Sequence, residues 1–395
     1  MSESLGGSVG GSVGGSVGGS VGGPVSVSVG GAQPGDPYAT PLHAEALMRH
    51  RAASIDMGPD TTPWTVARRT PGASLLFRWD PWVRSYLVAQ ELMRTMDFVD
   101  VGAQHTPHRA LTLNTFVMKA GGLDPTPHPL VTLVAPPDST FARQIDHVLS
   151  WSELREDRMP EVLVQAESTL GFWGSLIPVQ TERLKYTREL LDAAVRLAMF
   201  VEMRFKHHLA CWRPIDYSPY VQPALTTPGH GSTPSGHCTE AYVIYEVLKS
   251  LLNSHTVDGS PCPGRNALNR QFRCVVERIA MNRVVAGLHF PVDNIAGRVL
   301  GTVLGRYVAH RCTPTGKPAC PSASFIGPEF PADGVYDPAT QRLFPGEDQD
   351  PALPVASYYR IGDALPVLDE MPNDILGSLW AKASTEVLEL GLVYA

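Results

Sequence analysis

No apolar run in this 395-residue chain reaches the roughly 18 residues that a membrane-spanning helix needs, which argues against membrane insertion. The N-terminus carries neither a basic stretch nor a continuous apolar core, so no secretory leader is read and a cytoplasmic location is the default expectation. Basic charge is in short supply: 32 Lys and Arg against 39 Asp and Glu leave a net charge of −7, with a pI near 6.0. That balance argues against a general nucleic-acid binder or a protein of anionic membrane surfaces. The six cysteines, Cys211, Cys238, Cys262, Cys274, Cys312 and Cys320, show no CxxC pair and no zinc spacing. Cys312 and Cys320 flank a loop containing Pro and Gly, where a disulfide or two free thiols would fit equally. Convincing strand alternation is missing as well.

What the chain does have is helical periodicity between Pro- and Gly-rich connections. Apolar residues make up 43% of it, enough for a sizeable core. Residues 1–37 stand apart, with Gly-Gly-Ser-Val running four times from Gly6 to Val21. Such a tract cannot bury enough surface to offset its ordering entropy, so it reads as a flexible arm, with contacts in a homo-oligomer as its open role. A helical domain is expected over 38–325. Residues 326–395 form a C-terminal segment packed on the bundle or on a partner subunit.

Within the domain, a helix-like stretch lies between about 38 and 75. Asp80 and Pro81 then open a helix as N-cap and first helical residue. Residues 99–140, dense in Pro, Gly, Thr and His, read as a long connection. Helical patterns resume near 139–156 and 160–168. The longest, Thr181 to His208, sets Leu184, Leu191, Ala194, Ala198, Val201 and Phe205 on one stripe. Others follow over 266–284, from Pro291 to about His310, and over 374–391. Gly297, Gly301 and Gly305, at four-residue spacing, suit the close approach of a neighbouring helix. The fold class expected is all-α, a helical bundle with long loops.

Chemistry gathers in three short blocks. Pro234-Ser235-Gly236-His237 precedes an apolar helical pattern, with Ser235 as N-cap. The backbone N–H groups of Ser235 and Gly236 then lie at the positive end of a helix, where an oxyanion binds. Lys206 ends the long helix, and Arg213-Pro214 follows. Arg283, Gly287, His289 and Asp293 form the third block, where Asp293, four residues after His289, can hold the far nitrogen of its ring. Lys206, Arg213 and Arg283 with two neutral donors suit a tetrahedral oxyanion. Two histidines on opposite sides of it suit attack by one and proton delivery by the other. Taken singly, each residue has a plainer reading: a satisfied helix-start His, surface cations, a helix cap. His207 and His208 are read as structural neighbours and Cys238 as a packing residue.

Together the blocks, Lys206…Arg213-Pro214, Pro234-Ser235-Gly236-His237 and Arg283…Gly287-Leu288-His289…Asp293, resemble the signature shared by vanadium-dependent haloperoxidases and the type 2 phosphatidic acid and bacterial acid phosphatases. The resemblance spans about 206–293, with Asn282 where family members usually carry Ser, a change expected to alter at most a loop. It implies two packed four-helix bundles. It also implies that Lys206, Arg213, Ser235, Gly236 and Arg283 hold the oxygens of vanadate or phosphate. His289 would be the vanadium ligand or the phosphorylated nucleophile, and His237 the acid–base group. Lys206 would polarise hydrogen peroxide for attack by a halide, whose oxidised form halogenates a small organic acceptor. His230 lies seven residues before His237, where bromoperoxidase-type members also carry His and chloroperoxidases an aromatic residue, which implies bromide or iodide as substrate. The alternatives are a soluble acid phosphatase with a phosphohistidine intermediate and a non-catalytic oxyanion-binding or assembly protein.

Overall fold

The computed structural model describes residues 41–54, 71–119, 122–254, 256–257, 260–261, 265–313, 316–334, 356–366 and 374–390. The expected N-terminal arm and Cys262 lie outside them. The helices that carry the architecture are α1 (Pro41–Ser54), α2 (Pro81–Met93), α3 (Asp138–Trp151), α4 (Arg155–Glu167), α5 (Lys185–Leu209), α6 (Gly236–Asn253), α7 (Arg265–Val285), α8 (Pro291–Cys312) and α9 (Asp374–Glu389). Apart from two short two-stranded ladders, five strands join them: β1 (Met96–Asp100), β2 (Ala110–Thr115), β3 (His128–Val134), β4 (Pro321–Ile326) and β5 (Tyr359–Ala364).

Helix α6 is the centre, packed against α5, α7 and most extensively α8. The α6–α8 approach depends on the three glycines of α8. A Cβ on Gly297 would lie 2.7 Å from the Ser235 carbonyl oxygen, and Gly301 and Gly305 likewise press on the backbone of α6. On the far side of α5, α2 is fixed by a buried bidentate pair, Arg84 Nε to Glu189 Oε1 at 2.8 Å and Nη2 to Oε2 at 2.5 Å. Helix α9 brings Glu386, whose carboxylate accepts the first-turn N–H groups of Tyr186 and Thr187 at 2.9 and 2.8 Å. An acid at the positive end of α5 satisfies donors that the helix itself leaves open.

The all-α expectation is corrected here. The strands form one mixed sheet in the order β1–β2–β3–β4–β5, and the stretch taken as a long connection contains β2, β3 and the end of β1. The pairs are antiparallel except β3 with β4, where Val131 lies opposite Ala323. Two causes hid the sheet. Thr112, Asn114, His128 and Pro129 sit in the ladder, residue types that read as loop. All six residues of β2 are buried, so no solvent-facing row marks the strand. One continuous apolar core runs from β2 and β3 through α5, α6, α7 and α8 to α9. Cys312 and Cys320 are buried free thiols, not a disulfide, with burial pushing both up to about 12.

Candidate active site

The three sequence blocks converge where α5 ends, α6 begins and α7 turns into α8. Lys206 stands on the last turn of α5, which Ala210 closes in a left-handed conformation. Arg213 precedes the helical turn Pro214–Tyr217 and is tied to it by its own N–H, donating to Asp216 Oδ2 at 2.9 Å. His230 lies on the loop leading to α6. Gly231 lets that loop close on α5, because a Cβ there would come within 2.9 Å of the Lys206 carbonyl oxygen. Ser235 takes the N-cap position of α6, but its side chain caps nothing. Its N–H donates to the Asp293 carbonyl at 3.0 Å. The donors left for a ligand are therefore the Ser235 hydroxyl and the first-turn N–H of Gly236, not both backbone groups.

His289 and Asp293 form a fixed pair. Asp293 is fully buried, and its Oδ2 accepts from Phe290 N at 2.8 Å, Ser232 Oγ at 2.6 Å and His289 Nδ1 at 3.3 Å. Thr233 Oγ1 donates to Oδ1. A carboxylate can only accept, so His289 carries its proton on Nδ1 and keeps a lone pair on Nε2. Arg213 Nη1 stands 3.2 Å from that Nε2. Burial first, then the charges of Arg213 and Lys206, hold His289 well below the ordinary histidine range. Arg213 Nη2 meets His230 Nδ1 at 3.2 Å. The same Nδ1 lies 3.2 Å from the Gly231 carbonyl oxygen. Burial and the same two cations push His230 down to about 4, which keeps it neutral.

On the other side of the site, His237 Nε2 lies 3.0 Å from the carbonyl oxygen of Gln165, a last-turn carbonyl of α4. This acceptor places the His237 proton on Nε2 and leaves Nδ1 as its free basic atom. Although one edge of His237 is accessible, its surroundings and then Arg283 push it down to about 3. Arg283 Nη2 donates to Gln165 Oε1 at 3.1 Å and to Val162 O at 3.3 Å. Asn282 is no loop residue: it is buried in α7, donating to Gln165 Oε1 at 3.1 Å and Glu161 Oε2 at 2.9 Å. Arg158 Nη1 donates in turn to Asn282 Oδ1 at 3.0 Å.

Lys206 is 2% exposed, and burial pushes its amine down to about 8. It donates to the carbonyls of Pro234 and, at 3.3 Å, Ser232, so one of its three N–H bonds remains. Glu202, one turn earlier on α5, lies under Gly236, where a Cβ would meet its Oε1 at 2.6 Å. Burial and then Glu240 raise Glu202 well above the carboxylate range, against the pull of Lys206 and Arg213. Arg283 Nε and Nη1, Ser235 Oγ and Gln165 Nε2 are buried without a protein hydrogen bond. Buried donors normally find partners, so this set fits a ligand rich in oxygen. Among the described residues no cluster of three or more His, Cys, Asp or Glu side chains could hold a bare metal ion.

Residues 190–315 match the PAP2 superfamily. The matched span runs from within α5 to just past α8 and so includes each residue of the three blocks. The PAP2 superfamily covers both phosphatases and vanadium haloperoxidases, and the match fits either activity. No curated protein matches the chain. No helix among the described residues is long and apolar enough to cross a membrane.

Gln165, Ser232, Thr233 and Glu202 belong to the site and were missed from sequence. Ser232 and Thr233 had a readable signal, two hydroxyls directly before Pro234. Gln165 had none, since α4 precedes the first block by a full helix and meets the site only through packing on α7. His208 is a peripheral neighbour, 3.6 Å from Asp100.

Proposed function

We propose that the chain is a vanadium-dependent haloperoxidase that oxidises bromide or iodide with hydrogen peroxide. The observation that carries this reading is the set of buried, unpartnered donors on Arg283 and Ser235, gathered with a neutral His289 whose Nε2 keeps its lone pair. Such a set suits an oxyanion of vanadate's shape, held by hydrogen bonds and a single nitrogen. His230, held on Arg213 beside Lys206, supports bromide or iodide as the halide.

Bound vanadate supplies Lewis-acid activation of hydrogen peroxide. The chain's own residues do the rest. Arg213, Arg283, Ser235 and Gly236 would hold the vanadate oxygens, and His289 Nε2, oriented by Asp293, would hold the vanadium. A bound anion opposes the field of Arg283 and Lys206, lifting His237 from its low value so that Nδ1 can take and return a proton. The remaining Lys206 N–H would be the donor that stabilises charge developing on a peroxide oxygen. Overall, H2O2, Br− and H+ give HOBr and H2O: the O–O bond breaks, bromide loses two electrons, and the second oxygen leaves as water.

A soluble phosphatase would use the same His289 Nε2 lone pair as nucleophile through a phosphohistidine, and that is the second reading. A paired assay separates them. Reconstituted with orthovanadate, the protein should brominate a phenolic dye when given bromide and peroxide. Good hydrolysis of p-nitrophenyl phosphate, with no vanadate-dependent bromination, would give the phosphatase reading the site.

A further inference from the structure

Gln165 reaches the site from α4, which packs on α7, and the hydrogen bonds around its amide fix which end is which. Its Oε1 lies 3.1 Å from Arg283 Nη2, and a guanidinium can only donate, so the atom at that place is the oxygen. Asn282 imposes the same direction. Arg158 Nη1 donates to Asn282 Oδ1 at 3.0 Å, which leaves Nδ2 to donate to Gln165 Oε1 at 3.1 Å and to Glu161 Oε2 at 2.9 Å. The Gln165 oxygen is thus used twice, while its nitrogen is used by neither neighbour. Gln165 and Asn282 are fully buried, and Gln165 Nε2 has no protein partner. Arg283 Nε and Nη1, on the guanidinium that Gln165 holds, are in the same condition. A buried donor left open is uncommon inside a fold and marks a place where something else supplies the acceptor.

We propose that Gln165 is a further oxyanion-binding residue, donating from Nε2 to an oxygen of the bound anion, and that Asn282 is the positioning residue that holds the amide for it. The assignment rests on the oxyanion site of the proposed function and is the same for vanadate and phosphate. It gives the pocket a wall from α4, an element outside the three sequence blocks. Gln165 is neutral, so it adds a directed bond without adding to the repulsion among Lys206, Arg213 and Arg283. Its backbone carbonyl accepts from His237 Nε2 at 3.0 Å, so one residue holds both the anion and the acid–base group in register.

Gln165→Met keeps the length of the side chain and removes its amide. Arg283 Nη2 retains Val162 O at 3.3 Å and Asn282 Nδ2 retains Glu161 Oε2, so the fold should persist, as a circular dichroism melt would show. Tungstate affinity, measured by titration calorimetry, should fall by about 10–100-fold, the effect of one hydrogen bond to a charged group. Asn282→Ala leaves the amide in place but loosens it, and should lose a smaller part of that affinity. The double variant should bind no more weakly than Gln165→Met alone, because Asn282 acts only through Gln165. In proton–nitrogen correlation spectra, the side-chain amide pair that is missing from Gln165→Met should shift when tungstate is added to wild type. Affinity within twofold of wild type in folded Gln165→Met, or an amide pair that does not shift, would overturn the ligand role. Losses that add in the double variant would overturn the positioning role of Asn282. Wild-type protein that binds no tungstate would instead sink the oxyanion site itself, and this assignment with it.

Discussion

Replacing Asp293 by Asn removes one charge from the centre of the site while leaving its shape. The wild-type carboxylate takes three donors on Oδ2, from Phe290, Ser232 and His289, and one on Oδ1, from Thr233. In the variant the amide oxygen can sit at the Oδ2 position and keep those three. The amide nitrogen then faces Thr233, whose hydroxyl can accept as well as donate. The fold should therefore persist, and the loss falls on charge. Hydrogen bonds to a charged group contribute about 1.5–3 kcal/mol each and neutral ones about 0.5–1.5 kcal/mol, so His289 loses a substantial share of its support. Outer partners of a metal-binding histidine typically govern affinity by about 10–100-fold, or about 1.4–2.7 kcal/mol. Orthovanadate affinity, measured by titration calorimetry, should fall by that factor in Asp293→Asn. Ser232→Ala, which withdraws a single donor from the same carboxylate, should lose less. A folded Asp293→Asn protein, judged by its circular dichroism melt, that binds vanadate within twofold of wild type would refute the role given to this carboxylate.

Three further outcomes follow from the charges. Lys206 has its amine pushed down to about 8, and an anion needs the protonated form, so affinity is full below that value and is lost as pH rises through it. Tungstate, which keeps its own charge between pH 7 and 9, should show this decline, and Lys206→Met should flatten it; an unchanged slope would remove Lys206 from the site. Gln165→Glu keeps an acceptor for Arg283 and Asn282 but adds a negative charge beside His237. Oxyanion affinity should drop by about tenfold and the acid limb of the pH–rate profile should move upward, whereas an unaltered profile would reduce Gln165 to packing. Asp192 has its carboxyl pushed up to about 7, by burial first and against Arg196 and Arg188. A raised carboxyl means the folded state binds the proton more tightly, so stability is lost as pH rises from about 4 toward 7. Asp192→Asn should remove this slope and melt a few degrees higher at pH 8; superimposable melting curves from pH 4 to 8 would contradict it.

The helices around the site were legible because they carry their own signals. The stripe of Leu191, Ala194, Ala198, Val201 and Phe205 marks α5, and Pro291 and the spaced glycines mark α8. Ser235, Gly236 and His237 begin α6 where the turn residues before them imply. What could not be read is long-range. β4 reaches β3 from nearly two hundred residues away, and no local pattern in Pro321–Ile326 announces its partner. Gln165 enters the site only because α4 packs on α7, with Asn282 as the joint. The Asn282 substitution was visible in sequence, but its consequence, a bridge from Glu161 and Arg158 to Gln165, needed the three-dimensional neighbours. The Ser235 N–H was misassigned as a ligand donor for the same reason, since its acceptor is the Asp293 backbone.

The most direct test is the stoichiometry of vanadate binding after equilibrium dialysis, in wild type, His289→Ala and His237→Ala. One vanadium per chain is expected in wild type and in His237→Ala, with turnover lost in the latter, and none in His289→Ala, which lacks the only nitrogen assigned to hold it. Stoichiometric, tight vanadate in folded His289→Ala, or none in wild type, would contradict the placing of the oxyanion on His289.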